Sequence, residues 1–285
     1  MAQHTYIPHG LLWRLFASAL MIVAANTAIA APKADLWPRW TANDPNSRSV
    51  IDHSPWQQFL TTYLVAEEDG VNRLHYGRVS ATDRRKLKAY IAQLEAVPIS
   101  KYRRAEQLAY WVNLYNALTV EVILRHYPTA SILDIKISPG WFSIGPWGKK
   151  LVTVEGHELA LDDIEHRILR PIWRDPRIHY VVNCASTGCP NLRREAYTSA
   201  TMEQKMTAAA RDYINSVRGA SFDGRMLFVS SIYKWFSEDF GDTDASVIKH
   251  LGEYAEPALA KKLARTRNIE GHVYDWSLNE AGKPN

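Results

Sequence analysis

The stretch from Ile178 to Pro190 carries the residue types of thiol chemistry. An apolar run, 178–183, leads into a loop of small residues that holds Cys184 and Cys189, with His179 nearby. Nucleophilic cysteine chemistry needs a thiolate, which forms near neutral pH beside a histidine or a helix N-terminus, on a rigid and accessible turn. We predict that the apolar run is a core strand. On a strand, His179 and Cys184 lie on opposite faces, whereas Cys189, beyond the turn, could fold back.

The same two cysteines are compatible with simpler roles. In an exported protein, a C-x4-C pair can close a small disulfide, and the spacing of Cys184 and Cys189 permits one. Inert buried thiols are a further alternative. His179, taken alone, is more often a hydrogen-bonded core residue than a catalyst. The sequence therefore leaves a reactive thiol and a disulfide clamp as competing hypotheses.

A second set of polar residues lies on an otherwise apolar helix. Asn113 and Asn116 fall, with Glu106, within about 80° of one another on a helical wheel. A buried amide without a partner costs about 1–3 kcal/mol, so each asparagine needs a fixed partner. The two amides either fasten the helix to a loop, or orient a catalytic imidazole or donate to an oxyanion.

A third set follows a short hairpin, where Asp163 and His166 are one helical turn apart. Such a pair can bind a metal or form a charge-assisted contact. The sequence has neither H-E-x-x-H nor C-x-x-C, so we predict no metal and no cofactor, and we take His166 as a candidate general base for a cysteine. The aromatic, glycine-containing segment 140–148 could line a ligand cleft, although its glycine spacing is not that of a phosphate loop.

The elements that must position these residues mix helices and strands without a regular βαβ alternation. This order favours an α+β fold in a single domain, with a buried central helix at 105–126 packed on a mixed or antiparallel sheet. Asp162 is predicted to cap a short helix that Pro171 ends, with Glu165 completing a capping box. The other predicted helices are 55–67, 83–96 (with Thr82 as cap), 201–217, 232–240 and 244–265, and the strands are 150–154, 158–161, 178–183, 225–230 and 272–278.

Composition and the N-terminal segment indicate an exported globular protein. The 285 residues are 46% hydrophobic and 22% charged, which excludes disordered and fibrous classes. Residues 1–30 resemble a signal peptide, with Arg14, an apolar stretch and an A-x-A pattern that predicts cleavage before Ala31. Without Arg14, the net charge of +4 falls to +3, which is too small to indicate a nucleic-acid partner. We expect a periplasmic or secreted mature protein without a membrane span, an extended lead-in at 31–53 and a tail at 280–285.

Four separated motifs together resemble the domain of unknown function family 547 (DUF547). They occur in the family's order and span about residues 54–279. The resemblance implies that His179, Cys184, Asn113, Asn116, His166 and Asp275 belong to one site-like pattern. The four motifs are 110–117, 163–170, 175–190 and 274–279.

The resemblance implies a fold and a set of candidate site positions, but the family has no agreed reaction. Cysteine, histidine and an amide or acid from separate elements are similar to the sites of papain-like and transglutaminase-like enzymes, although the chain order differs. Plant relatives hold the first cysteine and have serine at the second, which favours Cys184 as nucleophile, against the strand-face argument.

We therefore expect an exported cysteine-dependent hydrolase or acyl transferase with a small-molecule or peptide-type amide substrate. Cys184 or Cys189 would attack, His179 or His166 would act as base and then acid, and Asn113 or Asp275 would orient the imidazole. The alternative is a non-catalytic binding module of the cell envelope, in which the two cysteines are bridged.

Overall fold

A computed structural model describes residues 32–140 and 144–282, and these belong to one unit of dense internal contact. The α+β fold class is confirmed. In chain order, the helices are α1 (Ser54–Tyr63), α2 (Ala81–Glu95), α3 (Arg104–His126), α4 (Arg170–Trp173), α5 (Met202–Ile214), α6 (Ile232–Trp235), α7 (Asp244–Tyr254) and α8 (Pro257–Leu263). The strands are β1 (Leu64–Ala66), β2 (Asn72–Leu74), β3 (Val152–Val154), β4 (His157–Leu159), β5 (Ala220–Asp223), β6 (Met226–Ser230) and β7 (Gly271–Val273).

Helix α3 is the buried central helix that the sequence predicts. Every residue from Glu106 to Leu124 is buried, including Asn113 and Asn116. The helix ends at His126 because Tyr127, which precedes Pro128, is held in an extended conformation. Its main neighbours are helices: α2, α5 and a π-helical segment, Asp163–Leu169. The polar groups of α3 must therefore find partners inside the protein.

The strands of the described residues form three small sheets. β1 pairs antiparallel with β2, and β3 with β4, so the predicted hairpin near residue 156 is confirmed. The third sheet is mixed, because β6 lies between antiparallel β5 and parallel β7. Beyond β7 the chain makes only single bridges, Ser186 with Leu278 and Leu74 with Glu280. These bridges place the C-terminal segment beside the cysteine loop.

The predicted core strand at 178–183 is wrong. Residues Pro176–Tyr180 form a 3-10 helix, whose start is fixed by the Asp175 side chain accepting a hydrogen bond from the backbone N–H of Arg177. Pro176 at the first position is already suited to a helical turn. This local start signal outweighs the strand preference of the apolar residues that follow, so the argument from opposite strand faces does not apply.

Local chemistry also shifts other element boundaries. The predicted helix at 244–265 is broken between α7 and α8, where Ala255 and Glu256 precede Pro257 and are extended. Ser80, rather than the predicted Thr82, caps α2 by accepting from the N–H of Asp83. The predicted cap role of Asp162 is wrong, since Asp162 is itself helical and makes no side-chain cap bond.

Two further expectations concern the signal peptide and membrane-spanning helices. The predicted signal peptide at 1–30 lies outside the described residues. Within 32–140 and 144–282, no helix has both the length and the apolar character needed to cross a membrane.

Candidate active site

The two cysteines lie together at the centre of a compact polar contact. The sulfur of Cys184 is 3.0 Å from the sulfur of Cys189, 3.1 Å from Oγ of Ser186 and 2.9 Å from the hydroxyl oxygen of Tyr274. Both cysteines are free thiols. Cys184 is half-buried, whereas Cys189 is buried at 4% exposure. Cys184 is therefore the more exposed residue of the two.

Side chains within the loop fix its conformation. Asn183 Oδ1 accepts from the N–H of Ala185 at 2.9 Å, and its Nδ2 donates to the carbonyl of Pro190 at 2.8 Å. The N–H of Cys184 donates to the sulfur of Cys189 at 3.1 Å. Ala185 has a positive φ of 58°, an unfavourable conformation for alanine that these bonds hold in place. The result is a rigid turn around the sulfur.

A C-terminal segment closes the other side of the loop. The N–H of Gly188 donates to the carbonyl of Asp275 at 2.8 Å, and the N–H of Thr187 donates to the carbonyl of Ser277. A Cβ at position 188 would lie 2.7 Å from the backbone nitrogen of Asp275, so only glycine fits this approach. These bonds bring Tyr274, which precedes Asp275, onto the sulfur of Cys184.

The surroundings shift the pKa values of the two thiols in opposite directions. Burial disfavours the charged form of Cys184, but hydrogen bonds from Cys189, Ser186 and Tyr274 outweigh it and lower the pKa of that thiol. Burial raises the pKa of the Cys189 thiol, and the neighbouring Cys184 sulfur raises it further. Cys184 is thus the more acidic thiol of the pair.

Four half-buried aromatic residues extend from the sulfur. Tyr274 contacts Trp235 and Trp276, with ring centroids 4.8 and 4.7 Å apart, and Trp276 contacts Trp147 at 5.8 Å. Trp147 belongs to the 140–148 segment that the sequence singles out for a ligand cleft, and residues 141–143 of that segment lie outside the described residues. We call Trp147, Trp235, Tyr274 and Trp276 the aromatic wall. It offers apolar ring faces and edges next to the sulfur of Cys184.

His179 lies in a separate cluster of carboxylates. Its Nε2 is 2.6 Å from Oδ2 of Asp239, its Nδ1 is 3.6 Å from Oε1 of Glu165, and its ring stacks on Phe236 at 4.2 Å. Burial opposes protonation, but the two carboxylates outweigh it and raise the pKa of His179. Both ring nitrogens therefore face acceptors, and this arrangement favours the protonated form of His179.

The pKa of His166 is shifted in the opposite direction to that of His179. Nη1 of Arg170 lies 3.0 Å from its Nδ1, and because a guanidinium only donates, Nδ1 accepts and the ring proton is on Nε2. Burial lowers the pKa of His166 to about 4. Nε2 faces Oδ1 of Asp162 at 3.7 Å, and burial with neighbouring carboxylates raises the pKa of Asp162 to about 7. The N–H of Asp162 donates to the carbonyl of Trp147, which links this pair to the aromatic wall.

The structure brings together only part of the predicted site. Within the described residues, no hydrogen bond joins His179 or His166 to either cysteine sulfur. The predicted contact between Asp163 and His166 is wrong, because Asp163 pairs with Lys150 and Arg167 instead. In the same described ranges, no group of three His, Cys, Asp or Glu side chains is arranged to hold a metal ion.

The predicted orienting residues do not touch an imidazole. Asn113 exchanges two hydrogen bonds with the backbone of Tyr197, at 2.7 and 3.1 Å. Asn116 donates to the carbonyl of Val181 and accepts from the N–H of Asn183, both at 2.8 Å. Asn113 and Asn116 thus fasten the central helix to two loops, one of which carries the cysteines.

Asp275, the other predicted orienting residue, is exposed. Its carboxylate accepts from the N–H of Ser277 within its own turn. The role in orienting an imidazole is therefore wrong for both Asn113 and Asp275.

Sequence reasoning missed several residues of the site. Ser186 follows Cys184 by two positions, so its place in the small-residue loop is a signal for a hydroxyl beside the sulfur. Tyr274 lies in the 274–279 motif, next to the predicted Asp275. Asp239 carries no motif of its own and is recognisable only from its contact with His179.

Comparison with protein families identifies the central part of the chain. Residues 99–214 match the family described as "Protein of unknown function, DUF547". This match supports the family predicted from the four sequence motifs. The matched segment contains α3, the π-helix, the cysteine loop and α5, whereas Tyr274 and Asp239 lie beyond it. Searches of curated proteins and of solved structures give no match.

Proposed function

We propose that this protein is a cysteine-dependent hydrolase or acyl transferase that acts on an amide or peptide-type substrate. The observation that carries the proposal is the set of polar groups around the sulfur of Cys184, a half-buried residue: Ser186, Tyr274 and Cys189 each place a polar atom within 3.1 Å of it. Hydrogen bonds to the charged form stabilise a thiolate, and the thiolate is the nucleophilic form of cysteine. The site can therefore hold a thiolate without an imidazole in contact.

The geometry supports a two-step acyl transfer. The Cys184 thiolate attacks the acyl carbon and forms a thioester, while the leaving nitrogen takes a proton from a donor beside the sulfur. Tyr274 is the half-buried donor at 2.9 Å, so it is the group that we assign to this transfer. Water or an acceptor amine then attacks the thioester, and its proton returns to the Tyr274 oxygen. The net reaction consumes one water or one amine for each amide cleaved.

The proposed roles of the histidines change with this geometry. A thiolate that is already formed needs no base at the sulfur, so neither His179 nor His166 is assigned to deprotonate Cys184. His179 joins Glu165 and Asp239 into a charged cluster that fixes the segment preceding the cysteine loop. The aromatic wall supplies the adjoining surface on which an apolar part of the substrate can lie.

We also propose that the protein works outside the cytoplasm, in the periplasm or as a secreted protein. The support is the sequence of residues 1–30, with its apolar stretch and the A-x-A pattern before Ala31. Subcellular fractionation of expressing cells, followed by N-terminal sequencing of the mature chain, tests this localisation and the cleavage before Ala31.

The function is tested by trapping the acyl-enzyme. Reduced protein is mixed with p-nitrophenyl acetate and with γ-glutamyl-p-nitroanilide, and intact mass with peptide mapping locates the acyl group. We expect a burst of p-nitrophenol from the ester and of p-nitroaniline from the amide, with an acyl group on Cys184. Cys184→Ala should abolish both, whereas Cys189→Ala, a matched loss of a thiol from the same loop, should keep the acylation site. Unchanged release by Cys184→Ala would refute thiol catalysis and favour a non-catalytic binding module.

A further inference from the structure

The Cys184 and Cys189 pair differs from a single catalytic cysteine in having a second sulfur in direct contact. The sulfurs are 3.0 Å apart, and a disulfide bond requires about 2.05 Å, so closing the bond needs an approach of about 1 Å. Residues 182–190 form no helix and no strand longer than a single bridge, so the approach breaks no regular secondary structure. The reduced loop is therefore arranged close to the oxidised one.

We infer that Cys184 and Cys189 form a reversible dithiol–disulfide couple that exchanges with low-molecular-weight disulfides. This activity is separate from acyl transfer, and it rests on only one part of the proposed function, the nucleophilic thiolate at Cys184. A small disulfide is the class of reactant that fits, because Cys184 is only half-buried, whereas Cys189 is buried at 4% exposure.

The two sulfurs fit the two roles of a dithiol exchange site, in which one sulfur attacks and the other resolves. The attacking sulfur must be accessible and ionised, which describes Cys184 with its hydroxyl donors Ser186 and Tyr274. The resolving sulfur must be protected from outside reactants and lie next to the first, which describes Cys189 at 4% exposure. Burial of Cys189 limits its direct reaction with an external disulfide.

The exchange balances in two steps. The Cys184 thiolate attacks one sulfur of a disulfide RS–SR, forms the mixed disulfide Cys184–S–SR and releases one thiolate RS⁻. Cys189 then loses its proton to the departing thiolate and attacks the Cys184 sulfur, which releases the second RS⁻ and forms the intramolecular disulfide. The protein dithiol loses two electrons, and the small disulfide gains two and becomes two thiols. Excess RSH drives the sequence backwards.

The donors on Cys184 also set the direction of the equilibrium. Ser186 and Tyr274 stabilise the reduced, ionised state and have no comparable charge to stabilise after oxidation. A stabilised reduced form makes the corresponding disulfide a better oxidant. We therefore expect the bridge to be easily reduced by small thiols, unlike a structural clamp.

The test uses reduced full-length mature protein with oxidised glutathione as the probe. Samples are quenched with acid, alkylated and analysed by intact mass and peptide mapping. Wild type should pass through a glutathione adduct on Cys184 to an intramolecular disulfide, and reduced glutathione should restore both thiols. Cys189→Ala should stop at the adduct. In Cys184→Ala, modification of Cys189 should be more than about tenfold slower than that of Cys184 in wild type.

Several results would overturn the inference. They are a stable glutathione adduct in wild type with Cys189 still free, rapid modification of Cys189 in Cys184→Ala, or a bridge that reduced glutathione does not open. Circular dichroism checks that each variant folds, and Cys184→Ser replaces Cys184→Ala if the latter does not. Acyl trapping is measured on the same reduced samples, so exchange without acylation refutes the proposed function alone, and acylation without a bridge refutes this inference alone.

Discussion

The hydroxyl oxygen of Tyr274 lies 2.9 Å from the sulfur of Cys184, although 90 residues separate them in the chain. The contact depends on backbone hydrogen bonds between the cysteine loop and the segment after β7, including that from Gly188 to Asp275. Tyr274 also begins the aromatic wall through its contacts with Trp235 and Trp276. One residue thus links the acidity of the thiol to the surface beside it.

Replacing Tyr274 with phenylalanine should raise the pKa of Cys184. The change removes one hydrogen bond to the charged form of the thiol, and a bond of this kind is worth about 1.5–3 kcal/mol, so the protonated form gains and the pKa rises. The pH dependence of iodoacetamide modification measures this shift. Tyr233→Phe is the control, because its hydroxyl contacts Tyr180 and no sulfur. Equal profiles for Tyr274→Phe and wild type would show that the hydroxyl does not stabilise the thiolate.

Asn116 and Asn113 provide a matched pair of variants. Each makes two hydrogen bonds to buried backbone, so alanine at either position should lower the free energy of unfolding by about 2–5 kcal/mol. Only Asn116 fastens the segment that leads into Cys184, so only Asn116→Ala should also change the alkylation rate of that thiol. Urea unfolding and alkylation are measured on both. A similar change of thiol reactivity in Asn113→Ala would contradict this assignment.

The His179–Asp239 pair should make stability depend on pH above the usual histidine range. Because the folded-state pKa of His179 is raised, its contribution is fully present below the unfolded value of about 6.5 and is lost as pH rises through the folded value. Asp239→Asn should lower the pKa of His179 and move this loss to lower pH. NMR titration of the ring and urea unfolding across this range measure both effects.

The control for that experiment is Glu238→Gln. Glu238 pairs with Arg170 but does not contact His179, so its replacement should leave the titration of the histidine nearly unchanged. Burial lowers the pKa of His166, so protonation of His166 lowers the stability only at pH values below about 6.5. This range does not overlap with the pH range in which the contribution of His179 is lost. A His179 pKa that is the same in Asp239→Asn and wild type would contradict the charged cluster.

The aromatic wall should select reagents that carry a ring. N-phenyl iodoacetamide should react with Cys184 faster than iodoacetamide, by about two- to tenfold, since an aromatic contact is worth about 0.5–1.5 kcal/mol. Trp276→Ala should bring this ratio of second-order rate constants towards one. Trp173→Ala is the control, because Trp173 packs against Arg104. A ratio unaffected by Trp276→Ala would show that the wall does not bind the reagent.

The parts of the fold that depend on local sequence could be predicted. The apolar run of α3 requires a buried helix, and Glu155-Gly156 marks the β3–β4 turn. Segment 178–183 could not be assigned from its strand preference, because Asp175 and Pro176 start a helical turn ahead of it. In this case a single hydrogen bond and a fixed φ outweigh the preferences of several residues.

The sequence indicated several residues of the site, but it did not indicate which of them contact one another. The two cysteines do meet, since the loop between them is short. His179 is directed to Asp239 and Glu165, partners with no signal near it in the sequence. Tyr274 reaches Cys184 only because the segment after β7 is paired with the cysteine loop, which is a long-range relationship that spacing does not contain.

The central claim is that Cys184 is an ionised nucleophile and Cys189 a protected thiol. The direct test is alkylation of reduced mature protein with iodoacetamide over a range of pH, with intact mass and peptide mapping to assign the modified cysteine. The structure predicts faster modification of Cys184 than of Cys189, with a midpoint below the ordinary cysteine pKa of about 8.5. Modification of Cys189 first, or a Cys184 midpoint at or above the ordinary value, would contradict the claim.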